Sequence, residues 1–141
     1  MNKINIHGTC ISYQDKGILF IGASGSGKSD LALQMIMNNN ALLVADDRTN
    51  IEEKQGQLIA SCPKSLLGLM EVRGIGICRF NPVPSVVLSL VVELVPQNFE
   101  IERLPQIKNI QYLGIQIPKI CIHGYETSAT NKIILACYQN K

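Results

Sequence analysis

The feature that most constrains this chain is an eight-residue run near its start: Gly22, Ala23, Ser24, Gly25, Ser26, Gly27, Lys28 and Ser29. Glycine, four residues, then Gly-Lys-Ser is the spacing of a loop that wraps phosphates. Glycine tolerates positive φ and puts no Cβ between backbone and ligand, so such a loop can turn its N–H groups inward. In this pattern the amides hold the α- and β-phosphates of a nucleotide, the lysine reaches the β/γ oxygens, and the serine hydroxyl ligates Mg²⁺. Gly17 to Ile21 reads as a short buried strand leading in. Ser29 to Met37 reads as a helix leading out, with Leu31, Ala32, Met35 and Ile36 on one face. A helix starting there aims the positive end of its dipole at the phosphates. A Gly/Ser turn without a ligand is the plainer reading, and the strand and helix on either side weigh against it.

The remaining numbers set limits. At 141 residues the chain is expected to form one domain with a single core. Trp is absent and aromatics are 5%, a poor basis for stacking on bases, and a net charge of +2 gives no case for nucleic acid or membrane as partner. The cysteines, Cys10, Cys62, Cys78, Cys121 and Cys137, are odd in number and lack metal spacing. They read as reduced packing residues of a cytoplasmic protein. The first residues are too polar for a secretory signal, and no apolar run reaches a membrane span.

No repeat, low-complexity linker or break in composition divides the chain. Alternation predicts strands over Lys3 to Ile6 and Thr9 to Tyr13, and an apolar strand over Ala41 to Ala45 ending in Asp46-Asp47. Thr49 to Lys54 and Gln57 to Ala60 form an expected hairpin around Gly56. One helical turn is expected over Ser65 to Leu69, and strands over Met70 to Arg73, Ile77 to Phe80, Val86 to Leu94 and Pro118 to His123. Pro96 to Leu113 is polar and has no assigned element. Thr127 or Ser128 caps a last helix running to about Tyr138. More strands than helices favours a mixed sheet with a helix at each end.

Asp46 and Asp47 stand where a nucleotide-binding protein keeps the acid that faces Mg²⁺. Adjacent strand residues point to opposite faces, so one carboxylate is expected to face the phosphates directly. One acid suits a general base, the other the orientation of metal or water. A solvated acidic turn is the plainer alternative. Glu71-Val72-Arg73-Gly74-Ile75-Gly76 offers a further metal ligand in Glu71 and a phosphate contact in Arg73, or simply an exposed ion pair before a turn. His7 and His123 end strands beside glycines; Arg103 lies in a loop-like stretch. Each of these is by default a surface residue.

Together, His7-Gly8, Gly22 to Ser29, Val44-Ala45-Asp46-Asp47, Glu71 to Gly76 and Glu102-Arg103-Leu104 occur in the order and spacing of the HPr kinase/phosphorylase family, which the chain resembles from about Asn5 onward. The resemblance implies an α/β phosphate-loop (P-loop) kinase domain with a mixed sheet, related to phosphoenolpyruvate carboxykinase. It is similar to the catalytic domain alone, a short form over 1–141 without the separate N-terminal domain of longer members. The implied activity is ATP- and Mg²⁺-dependent phosphorylation of a serine on HPr, the phosphocarrier of the phosphotransferase systems, by a homo-oligomer (hexameric in the family). By position, the resemblance makes Asp46 the general base, Ser29 and Glu71 the metal ligands, and His7, Lys28 and Arg103 the other active-site residues. Many members also remove the phosphate by phosphorolysis. Longer members carry an arginine-rich Pro-Val-Arg-Pro-Gly-Arg loop linked to that reaction, where this chain has His123-Gly124-Tyr125-Glu126-Thr127-Ser128. Phosphorolysis is accordingly expected to be weak or absent. A small-molecule kinase and a non-catalytic ATP-binding regulatory module are the alternatives on the same scaffold.

Overall fold

The most β-rich stretch of the sequence becomes the spine of the fold. In the computed structural model, which describes residues 2–139, Ser85–Val95 is one strand. The ends of the expected 1–141 unit lie outside the described residues. In chain order the elements are β1 (Lys3–His7), β2 (Thr9–Tyr13), β3 (Lys16–Gly22), α1 (Lys28–Asn38), β4 (Leu42–Ala45), β5 (Arg48–Lys54), β6 (Gln57–Ser61), β7 (Leu69–Val72), β8 (Gly76–Arg79), β9 (Ser85–Val95), β10 (Lys108–Tyr112), β11 (Ile115–His123) and α2 (Ala129–Gln139). The helical turn expected after β6 is a 3₁₀ turn over Lys64–Leu66.

Strand β9 pairs with β3 in parallel along one edge. Its other edge is shared between two partners: β6 runs antiparallel to Ser85–Val87, and β11 runs parallel to Val91–Val95. Beyond β3 lie β2 and β4, beyond β6 lie β5 and β1, and β10 flanks β11. The result is a curled, mixed nine-stranded sheet, with β7 and β8 as a separate hairpin. The mixed α/β architecture agrees with the expectation. The two helices, however, are not at opposite ends of the sheet: Leu31 and Met35 of α1 share one core with Ile133 of α2, over Ile18, Phe20, Leu90 and Val92.

The opposite face buries Cys10, Leu19, Ile51, Leu58, Leu88 and Val91. Leu88 and Leu90 are two apart yet face different cores. Gly17 pairs with Leu88 and Ile18 with Leu90, so Ser89 is an extra residue in the ladder, and such a bulge reverses the facing of the residues beyond it. The cysteines are free thiols; burial raises the pKa of Cys10, Cys62 and Cys137, as suits packing residues. No helix among the described residues is long and apolar enough to cross a membrane.

Two pieces of the C-terminal half depart from the sequence reading. Lys108–Tyr112 forms a strand where none was assigned, and β11 begins at Ile115, ahead of Pro118. Pro118 is tolerated because pairing with β9 starts only at Lys119; at Pro118 the strand has β10 alone as partner.

Candidate active site

Strand β3 ends at Gly22, and the chain then turns through the Gly/Ser-rich loop into α1. Gly22 has φ 144°, and a Cβ there would meet the Leu94 carbonyl oxygen at 2.7 Å, so this turn against β9 requires glycine. Gly27 (φ 103°) starts the helix without a side-chain cap, and Leu31 N–H donates back to its carbonyl at 3.0 Å. The N–H groups of Lys28, Ser29 and Asp30 therefore have no carbonyl within the helix and open toward a cavity of about 540 Å³.

Lys28, only 7% exposed, folds over its own loop, its Nζ donating to the carbonyls of Gly22 (2.9 Å) and Ala23 (3.0 Å). Burial lowers its pKa, while Asp47 and Asp46 pull the other way. Across the cavity, Ser29 Oγ donates to Asp46 Oδ1 at 2.6 Å, Thr9 Oγ1 donates to the same oxygen at 3.1 Å, and Glu71 N–H reaches Oδ2 at 3.4 Å.

Both aspartates line this cavity, although adjacent residues of a continuing strand would point to opposite faces. Alternation ends with β4 at Ala45. Asp47 takes φ 67°, a left-handed conformation, and Arg48 N–H closes a tight turn onto the Asp46 carbonyl at 2.7 Å. The turn brings the second carboxylate round to the same side. The two acids nonetheless differ: Asp46 is half-buried among donors, whereas the Asp47 side chain is 72% exposed and meets His7 Nε2 at 3.2 Å.

Of the residues singled out by sequence, His7, Lys28, Ser29, Asp46 and Glu71 line one cavity with Ser24, Gly25 and Gly27 of the loop. Arg73 joins them and makes no ion pair with Glu71 among the described residues. Arg103 does not line it: it lies, exposed, on the segment between β9 and β10. His123 ends β11 with Nδ1 buried and unpartnered among the described residues.

The lining also includes residues that sequence reasoning did not single out, Thr9 and Tyr125 among them. Tyr125 OH donates to the Gly25 carbonyl at 2.7 Å, and its ring lies where a Cβ on Gly27 would meet it at 3.5 Å. The preceding Gly124 is packed so closely under the Ser26 carbonyl that a Cβ would collide with it. The turn after β11 thus braces the loop after β3. No local pattern signals contacts between segments so far apart in the chain.

The cavity offers amides, one buried cation and carboxylates to a phosphorylated ligand. Among the described residues no three His, Cys, Asp or Glu are placed to enclose a metal ion. That donor set suits Mg²⁺, which takes one or two protein ligands and completes its shell from water and substrate phosphates. The Ser29 hydrogen is already given to Asp46, so the lone pairs of its oxygen remain for a cation. Ser26 Oγ, within the loop, is buried without a partner among the described residues.

A family model described as HPr Serine kinase C-terminal domain matches residues 1–141. The HPr kinase/phosphorylase of Malacoplasma penetrans is 32% identical over 150 residues, covering 95% of this chain and 49% of that protein. The one from Caldicellulosiruptor bescii is 34% identical over 131 residues, covering 85% and 42%. The chain spans about half or less of the length of these curated relatives. Among solved structures, the HPr(Ser) kinase/phosphatase from Coxiella burnetii superimposes with a TM-score of 0.82 at 27% identity, covering 97% of this chain and 95% of that one.

Proposed function

The chain belongs to the HPr serine kinase C-terminal domain family, and on that premise we propose that it transfers the terminal phosphoryl group of ATP to a serine of HPr. The observation that carries this reading is the Ser29–Asp46 hydrogen bond of 2.6 Å at the front of α1, inside a cavity that also holds Lys28, Asp47 and His7. Phosphoryl transfer asks for in-line positioning and neutralised charge, with little covalent work by the protein.

In this proposal residues 1–141 are one catalytic unit of the P-loop type, akin to phosphoenolpyruvate carboxykinase. The amides of Gly22 to Ser29 and the N-terminus of α1 hold the phosphates. Lys28 exchanges its two carbonyl partners for phosphate oxygens. Ser29 and Glu71 are the residues that would hold Mg²⁺, which would offset the negative charge of the phosphates. The resemblance assigns the base to Asp46. The geometry favours a division in which Asp46 orients Ser29 and Asp47 takes the proton of the incoming serine. A base serving a protein substrate must be reachable from solvent, and Asp47 is, with His7 at 3.2 Å to orient its carboxylate. Arg103 acts in this scheme only if its segment moves toward the cavity or reaches a neighbouring copy in the oligomer. The setting proposed is cytoplasmic, with HPr as the protein partner.

The test is to incubate the protein with Mg-ATP and HPr and look for an acid-stable phosphoserine adduct by intact mass. Transfer is expected. ATP bound but not transferred to HPr would sink the reading; turnover with metabolites alone would then select a small-molecule kinase, and no turnover at all a nucleotide-binding regulatory module. With Tyr125 standing where arginines are absent, little pyrophosphate is expected from phospho-HPr and inorganic phosphate.

A further inference from the structure

We propose that Thr9 is a positioning residue that locks the Asp46 carboxylate and thereby sets how tightly the site takes up a divalent cation with its nucleotide; this rests on the kinase reading above. Three successive residues where β1 passes into β2 each grip one of the paired acids. His7 Nε2 meets Asp47 Oδ1 at 3.2 Å. Gly8 N–H donates to the Asp47 carbonyl at 2.9 Å. The Thr9 hydroxyl donates to Asp46 Oδ1 at 3.1 Å and accepts the Asp47 N–H at 3.4 Å.

Thr9 is completely buried. It opens β2 opposite Phe20 of β3, in a setting where a valine of the same shape would pack as well and leave no hydroxyl to satisfy. The hydroxyl has one hydrogen and two lone pairs. Its hydrogen goes to one aspartate and a lone pair to the backbone of the next, so a single buried oxygen ties the Asp46 carboxylate to the backbone at Asp47.

The consequence reaches Ser29. Asp46 Oδ1 holds the Ser29 hydrogen at 2.6 Å, and it is this bond that keeps the serine's lone pairs available to a cation. Without Thr9, Oδ1 would be anchored by Ser29 alone, with only the long 3.4 Å bond from Glu71 N–H at Oδ2 to resist rotation of the carboxylate. Anchored from β2 as well, it holds Ser29 in one orientation. A partner bonded directly to a metal ligand, as Asp46 is to Ser29, typically changes metal affinity by about 10–100-fold, and Thr9 acts one bond further out, through Asp46.

The experiment measures equilibrium binding of ATP to the full chain, with and without Mg²⁺, for wild type, Thr9→Val and Thr9→Ser. Thr9→Val should weaken Mg-ATP binding and raise the Mg²⁺ concentration needed for half-saturation by a few-fold, up to about tenfold. Its affinity for metal-free ATP should be unchanged, and Thr9→Ser should restore wild-type behaviour. Thr9→Val that binds Mg-ATP like wild type, or that loses both forms equally, overturns the proposal. Should Thr9→Val not fold, Thr9→Ala against Thr9→Ser makes the same comparison. A wild type that binds Mg-ATP yet transfers nothing to HPr removes the kinase reading, while the Mg²⁺ dependence still decides for or against Thr9.

Discussion

Asp46 and Asp47 are neighbours in sequence whose surroundings prepare them for different work. Asp46 is held by donors from β2, α1 and β7, whereas Asp47 faces the mouth of the cavity beside His7. Asp47→Asn should therefore lower phosphoryl transfer by about 10²–10⁴-fold with Mg-ATP binding intact. Asp46→Asn should also lose transfer, but with a raised Mg²⁺ requirement, and a Mg²⁺ titration of each variant separates the two. Gly124→Ala places a methyl group against the Ser26 carbonyl, so the loop must shift. A loss of stability of about 1–3 kcal/mol is expected in a denaturant melt, together with weaker ATP binding. At this scale the cavity lining was legible in the sequence where it sits in a contiguous motif, as at Gly27 to Ser29 and Asp46-Asp47. Thr9 and Tyr125 were not, because a threonine in an alternating strand and a tyrosine in a turn carry no local mark of the distant partner they meet.

Among the elements, β3, α1, β9 and α2 were readable from periodicity because each presents a continuous apolar face to a core. The hairpin of β10 and β11 was not. Its alternation of Ile110, Tyr112, Ile115 and Ile117 lies in a polar stretch, and Pro118 looked like a strand start when it is an interior residue on the part of β11 not yet paired to β9. The entry to α2 carries a pH signature. Glu126 accepts from Lys132 Nζ at 2.9 Å, and that bond holds its carboxyl below the ordinary value. A depressed acid stabilises the fold above its unfolded pKa and loses that contribution as pH falls through the folded one. Both side chains are partly exposed, so the effect should stay below about 1 kcal/mol. The melting-temperature difference between wild type and Glu126→Gln should be present at neutral pH and vanish once pH falls below the ordinary carboxylate range.

For the molecule as a whole, Phe20 is the side chain that ties the site to the core. It is fully buried in the face shared by both helices, two residues before Gly22. Phe20→Ala should cost about 3–5 kcal/mol in a chemical melt, a large part of the roughly 5–15 kcal/mol that holds a domain together. The mixed sheet was foreseeable from the excess of strands, but not the sharing of one edge of β9 between β6 and β11, since pairing partners are chosen by three-dimensional fit and not by local pattern. That arrangement also bears on biosynthesis. The loop at residues 22–29 leans on Leu94 and on the turn at Gly124 and Tyr125, which are synthesised well after it. A nascent chain should thus be unable to hold nucleotide until the residues through Tyr125 have left the ribosome.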